Sequence, residues 1–144
     1  MRFMILVKAS DASEAGVFSD SDREIFEAMG RFNEEMVRAG VMLAGEGLQP
    51  SSKGARIAYS GTKRTVTDGP FTESKELIAG YWLIQVSSRE EAIQWASRAP
   101  FQEGEVEIRQ VYEASDFPPE VFSPEEAARE DALREEMQRR AAQP

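Results

Sequence analysis

The chain opens on Phe3-Met4-Ile5-Leu6-Val7, apolar at every position, and that run has no polar face. Such a segment reads as a strand inside a sheet that is covered on each side. A small, acidic loop is expected over 10–22. Ser21-Asp22-Arg23-Glu24 then has the form of a capping box, with Ser21 as N-cap and Glu24 three residues on. Ile25, Met29, Phe32 and Met36 follow at helical spacing, and Gly40 stands where a C′ glycine ends a helix.

The pattern then changes. Residues 41–44 read as a strand leading into Gly45-Glu46-Gly47-Leu48-Gln49-Pro50. Segments 55–59 and 64–67 flank Ser60-Gly61-Thr62-Lys63 and predict a β-hairpin with a short polar loop. Beyond the turn Asp68-Gly69-Pro70-Phe71, residues 72–77 fit one helical turn capped by Thr72, and 78–86 form a strand containing Tyr81-Trp82-Leu83-Ile84. Ser88-Arg89-Glu90-Glu91 repeats the capping box, opening a helix with Ile93 and Ala96 inward and Pro100 at its end. Residues 106–109 alternate as a half-buried strand, and Gln110-Val111 breaks the alternation as a bulge would.

After the linker Phe117-Pro118-Pro119, Ser123-Pro124-Glu125-Glu126 starts a last helix with Ser at the N-cap and Pro at N1. That helix carries Glu125/Arg129, Glu130/Arg134, Glu135/Arg139 and Glu136/Arg140 at i,i+4 spacing, pairs worth ~0.2–0.5 kcal/mol each. Its apolar stripe, Leu133 and Met137 among alanines, is thin. It reads as an appendage.

The order β-α-β, hairpin, β-α-β, helix is the ferredoxin-like, split βαβ pattern of the α+β class with an inserted β-hairpin and a C-terminal helix. Two helices cover one face of such a sheet. Phe3, Ile5, Val7, Trp82 and Ile84 are expected on the other, where their exposure would leave a large apolar patch. Burial against a second copy resolves this, so a two-fold homodimer through the sheet face is expected.

Composition narrows the function. The 144 residues are 41% hydrophobic and 30% charged, as in a globular chain, with a net charge of −9. That charge argues against direct contact with nucleic-acid phosphates and against an anionic membrane surface. No cysteine and no histidine are present, which removes thiolate chemistry, disulfides and nitrogen- or sulfur-ligated metals. No cofactor is expected. The opening apolar run ends at Lys8, too short for a signal peptide, and no stretch approaches the ~20 apolar residues of a membrane span. A cytoplasmic location is the expectation.

Gly45-Glu46-Gly47-Leu48-Gln49-Pro50, Val66-Thr67-Asp68-Gly69-Pro70-Phe71, Glu73-Ser74-Lys75-Glu76, Gly80-Tyr81-Trp82-Leu83-Ile84 and Glu91-Ala92-Ile93-Gln94-Trp95-Ala96 occur in that order. Together with Val106-Glu107-Ile108-Arg109, they make the chain resemble the YCII-related, or DGPF-domain, family over 1–114. Residues 115–144, the linker and charged helix, lie outside the resemblance. It implies a dimeric α+β barrel with a pocket between sheet and helices. Some YCII-like proteins are enzymes on small aromatic compounds with a histidine–aspartate pair in the pocket; this chain has no histidine to supply one. The DGPF branch is often encoded beside extracytoplasmic-function sigma factors, which implies an accessory or regulatory role.

The candidate chemistry is carboxylate chemistry. Asp68, at a strand end before Gly-Pro, reads as a general base or as an ordinary turn residue bonding backbone N–H groups. Glu46, between two glycines, reads as a pocket acid or as an exposed turn acid. Glu73 reads as a proton-sharing partner of Asp68, since paired carboxylates drive their pKa values apart, or as part of a solvated turn with Lys75 and Glu76. Lys75, Glu76, Arg56, Arg64 and Phe71 are the candidate substrate contacts, with Arg109 a further strand-borne base. Two functions therefore stand. One is a small-molecule-binding protein, for an aromatic or anionic ligand near the Asp-Gly-Pro-Phe turn, with proton-transfer, isomerase or lyase chemistry. The other is a non-catalytic dimeric module working with a sigma factor or other regulator.

Overall fold

The computed structural model describes residues 1–72 and 76–144. They form two compact units, Met1–Val111 and Tyr112–Pro144. The first contains β1 (Arg2–Lys8), α1 (Asp11–Ala15), α2 (Arg23–Arg38), β2 (Met42–Gly47), β3 (Ala55–Ser60), β4 (Lys63–Asp68), β5 (Ile78–Gln85), α3 (Arg89–Ser97) and β6 (Val106–Gln110). Its main sheet is antiparallel in the order β2-β5-β1-β6, and β3 and β4 pair separately as a hairpin. This is the α+β, ferredoxin-like arrangement that the element order predicts.

Register decides which face becomes the core. Phe3 lies opposite Ile84, Ile5 opposite Trp82 and Ile108, and Val7 opposite Gly80 and Val106, so these residues share one face. Phe32 and Met36 of α2 and Ala92 and Ala96 of α3 pack on it, with Ile5, Met36 and Ile84 fully enclosed. The expectation placed Phe3, Ile5, Val7, Trp82 and Ile84 on the face away from the helices; they lie beneath them. The opposite face carries Met4, Leu6, Tyr81 and Leu83, which are only partly buried. Strands that are apolar at successive positions hide their parity, which is why the two faces could be interchanged.

The helices keep their predicted places with altered details. In α2, Phe32 and Met36 are buried, and Gly40 follows the helix with φ +72°. The capping box lies earlier than Ser21: Ser19 and Asp22 close a short 3₁₀ turn over Asp20–Asp22, with the Ser19 N–H donating to the Asp22 carboxylate at 2.8 Å. The segment expected as loop contains α1. Ser10 and Ser13 cap it reciprocally and Gly16 ends it at φ +65°. In α3, Ala92 and Ala96 face the sheet while Ile93 is 37% exposed, because close approach of helix to sheet favours the smaller side chains there. Arg98, just past α3, pairs with Glu35 of α2. The bulge expected at Gln110-Val111 does not form: β6 pairs evenly with β1, and the irregularities lie at Val7/Lys8 and Met42/Ala44.

The hairpin turns through Gly61-Thr62, with Gly61 at φ +59°, as a two-residue connection with glycine first requires. Its base is tied down. The Gly69 N–H donates to the Gly54 carbonyl at 3.0 Å, and Gly69 lies so close to Ser51 that a Cβ there would sit 1.8 Å from the Ser51 carbonyl oxygen. The Gly69-Pro70 peptide is cis. Ser51 also accepts from the Phe71 N–H at 3.0 Å and donates its hydroxyl to Glu14 of α1 at 2.8 Å. The expected turn over 72–77 falls partly on 73–75, outside the described residues.

The second unit is described by itself. Tyr112, Phe117 and Phe122 form an aromatic cluster with centroid separations of 4.8 and 5.7 Å, and α4 (Pro124–Ala141) follows. Ser123 caps it, accepting from the Glu126 N–H, with Pro124 in the first turn. Glu130/Arg134 and Glu136/Arg140 pair at 2.7 Å; Arg129 pairs with Glu126 rather than Glu125. Among the described residues no helix is long and apolar enough to cross a membrane.

Two measurements check this packing. Gly69→Ala should cost ~1–3 kcal/mol, since the clash is with backbone that cannot swing aside. Thermal unfolding should show Tm lowered by roughly 4 °C or more, and an unchanged Tm would contradict the contact. The second concerns Glu91, whose carboxylate accepts from the Ser87 hydroxyl at 2.6 Å and the Ser87 N–H at 2.8 Å. Those bonds hold its pKa below the ordinary 4.5. A folded-state pKa below the unfolded one adds stability above pH 4.5 that is lost as pH falls through the folded value. Glu91→Gln should therefore be less stable than wild type at neutral pH, the gap closing in acid; a pH-independent gap would contradict this.

Candidate functional site

The first unit has an open cavity of about 990 Å³ against the helix-covered face of the sheet. Glycines make the room for it. Gly47 of β2 lies opposite Gly80 of β5, so two side chains are missing from adjacent strands on one face. A Cβ on Gly47 would meet nothing within 4 Å, whereas one on Gly80 would lie 2.9 Å from the Glu46 carbonyl oxygen. Gly45 serves a different end. A Cβ there would lie 2.8 Å from Cδ1 of Trp82, so its absence lets the indole lie flat against β2.

Trp82 forms the apolar floor. It is almost fully buried, edge-on to Phe32 with centroids 5.5 Å apart and tilted against Phe101 at 6.1 Å. Its indole N–H donates to Oδ1 of Asn33 at 2.8 Å, which satisfies the buried donor and fixes the orientation of the Asn33 amide. Val7, Ile25, Phe26, Met29, Phe101 and Val106 add to the apolar lining. Polar groups reach it from Ser10, Asp11 and Ser13 at the start of α1, from Lys8 of β1, Asn33 of α2 and Ser97 of α3, and from Glu103 and Glu105 between α3 and β6. The arrangement suits a compact planar molecule, its ring against Trp82 and its polar substituents towards the rim.

The predicted site residues occupy several places. Glu46 lies on β2 between Gly45 and Gly47 and contributes to the cavity wall. It pairs with Tyr81, however, which puts its position on the sheet face away from the helices. Asp68, the last residue of β4, is exposed and lines neither this cavity nor the recess beside Arg56 and Phe71. Phe71 and Arg56 come together, the guanidinium 3.8 Å from the ring centroid, in a recess of about 330 Å³ beside Ser51 and Leu77. Arg64 is at the hairpin tip, over the Tyr59 ring at 4.7 Å and donating to the Gly61 and Lys63 carbonyls. Glu76 is exposed, just ahead of β5. Glu73 and Lys75 lie outside the described residues.

Arg109 lies opposite Met4, on the face away from the helices, where it and Lys8 flank Glu107 at 3.3 and 3.5 Å. The hydrogen bond from Arg109 and the charge of Lys8 hold the Glu107 carboxyl below its ordinary range. Among the described residues, no group of three or more acidic side chains is placed to hold a metal ion. The cavity residues that sequence reasoning missed had signals of their own. Gly45-Glu46-Gly47 puts two glycines on one face of a strand, and Asn33 is an amide beside Phe32 in an otherwise apolar stripe.

Comparison with known proteins places the chain among relatives. It is 26% identical over 123 residues to an uncharacterised protein of Rhizobium meliloti (strain 1021), covering 82% of this chain and 99% of that one. Among solved structures it is similar to 5-chloro-2-hydroxyhydroquinone dehydrochlorinase from Burkholderia phenoliruptrix AC1100, in complex with 2,5-dihydroxybenzoquinone. That likeness has a TM-score of 0.46 and 12% identity, and covers 82% of this chain and all of that one. A family model described as the YCII-related domain matches residues 1–115, and the chain therefore belongs to the YCII-related family.

Proposed function

We propose that this protein binds a small aromatic or otherwise planar molecule in the cavity between its helices and its sheet. The observation that carries the reading is the Gly47/Gly80 pair beside Trp82: two adjacent strands leave out side chains where one aromatic ring forms a rigid apolar floor. The chemistry proposed with it is carboxylate-based proton transfer, as in an isomerase or lyase. Asp11 and Glu103 line the cavity from its exposed rim, and carboxylates are the groups left to acid–base chemistry in a chain without histidine.

The Asp-Gly-Pro-Phe turn enters this reading as a support. Phe71 holds Ser51, Ser51 holds Glu14, and Glu14 belongs to α1, whose first residues form the cavity rim. A homodimer through the face carrying Met4, Leu6, Tyr81 and Leu83 belongs to the same proposal, since a second copy would remove those partly buried side chains from water.

Calorimetric titration with a panel of hydroxy-aromatic compounds tests the cavity. Wild type should bind at least one of them with Kd of about 1 mM or tighter. Gly47→Leu, which fills open space, should abolish that binding while leaving circular dichroism and Tm essentially unchanged. Undiminished binding by Gly47→Leu would place the ligand elsewhere. The dimer is tested by light scattering: twice the 16.1 kDa chain mass is expected, and a particle of 16.1 kDa would refute it.

A further inference from the structure

The hairpin β3–β4 is the one element of the main unit whose described residues are exposed throughout. Both six-residue strands are exposed at every position. The pairing puts Ile57 opposite Val66 and Tyr59 opposite Arg64, so these four share one face. Ile57, Val66 and Tyr59 there are 52%, 63% and 70% exposed. A two-stranded hairpin is marginal in water without something to pack on. This one is nevertheless anchored at its base through Gly54, Gly69 and Ser51, and its strands reach roughly 20 Å from that anchor at the ordinary rise per residue.

Its charge is the reverse of its surroundings. The strands carry Arg56, Lys63 and Arg64 against one acid, Asp68, in a chain whose net charge is −9. We infer that the hairpin is a docking arm for a second copy of this chain, laying its Ile57/Val66/Tyr59 face on the acidic body of the partner. A two-fold axis makes the exchange reciprocal, each arm on the other body. Arm-to-arm pairing is disfavoured, since it brings the basic tips Lys63 and Arg64 together, whereas arm-to-body contact joins opposite charges. The inference rests on the homodimer proposed above and assigns the hairpin a share of its interface.

Sedimentation equilibrium of the full chain tests it with two variants. One is Ile57→Ser with Val66→Ser; the other is Lys63→Glu with Arg64→Glu. All four side chains are exposed, so both variants should keep the wild-type circular dichroism. Each should raise the dimer dissociation constant roughly tenfold or more, as removal of central interface contacts does. Raising salt from about 0.05 M to about 0.5 M should weaken wild type more than the charge-reversed variant. A dimer that both variants form as tightly as wild type would overturn the arm while leaving the sheet-face dimer standing. A monomeric wild type would overturn both. Retention of duplex DNA that the charge-reversed variant loses, with no change in mass, would overturn the arm in favour of a nucleic-acid contact.

Discussion

Burying an indole takes a large apolar surface out of water together with a hydrogen-bond donor, and both have to be accommodated. Trp82 meets the first demand by lying edge-on to Phe32 and against the bare backbone of Gly45, and the second by donating to Asn33. Phe32 and Asn33 are neighbours on α2, so one helix supplies both contacts, and its height over the sheet is set by them. An edge-to-face aromatic pair adds ~0.5–1.5 kcal/mol beyond area burial, which is modest beside the geometry it imposes. The remaining core, with Met36 and Ile84 enclosed and the alanines of α3 closing the other side, builds outward from that contact.

The cavity is a consequence of the same arrangement. Where the space beside Gly45 is taken by the indole and that beside Gly80 by the backbone of Glu46 and Gly47, the space over Gly47 is open, and the sheet keeps an indentation there. Its polar rim comes from the short α1, which has no buried residue of its own and is held by its caps and by the bond from Ser51 to Glu14. The conspicuous turn at 68–71 is thereby joined to the cavity through Ser51 and α1.

Element order was legible from the sequence because each long element has a clear period: the stripe from Ile25 to Met36, the alternation at 106–109, the polar loop at 60–63. The faces were not. Phe3 to Val7 and Ile78 to Val86 are apolar on both sides, so parity could be settled only by what packs against them, and tertiary contact decided it. α1 is too short to show any period, and Ile93 gave way to alanines because helix-to-sheet distance overrides hydrophobicity at a single position. For the site, attention to charged residues led to the Asp-Gly-Pro-Phe turn. The cavity is instead marked by missing side chains and by an aromatic ring, features that look in sequence like ordinary strand and core.

Crystallisation of the protein with a hydroxy-aromatic compound that it binds tests the central claim most directly. Density for the ring is expected over Gly47 and Gly80, in van der Waals contact with Trp82, with polar substituents directed towards Asp11 and Ser13. Density confined to the recess beside Arg56 and Phe71, with the cavity at Trp82 empty, would contradict it.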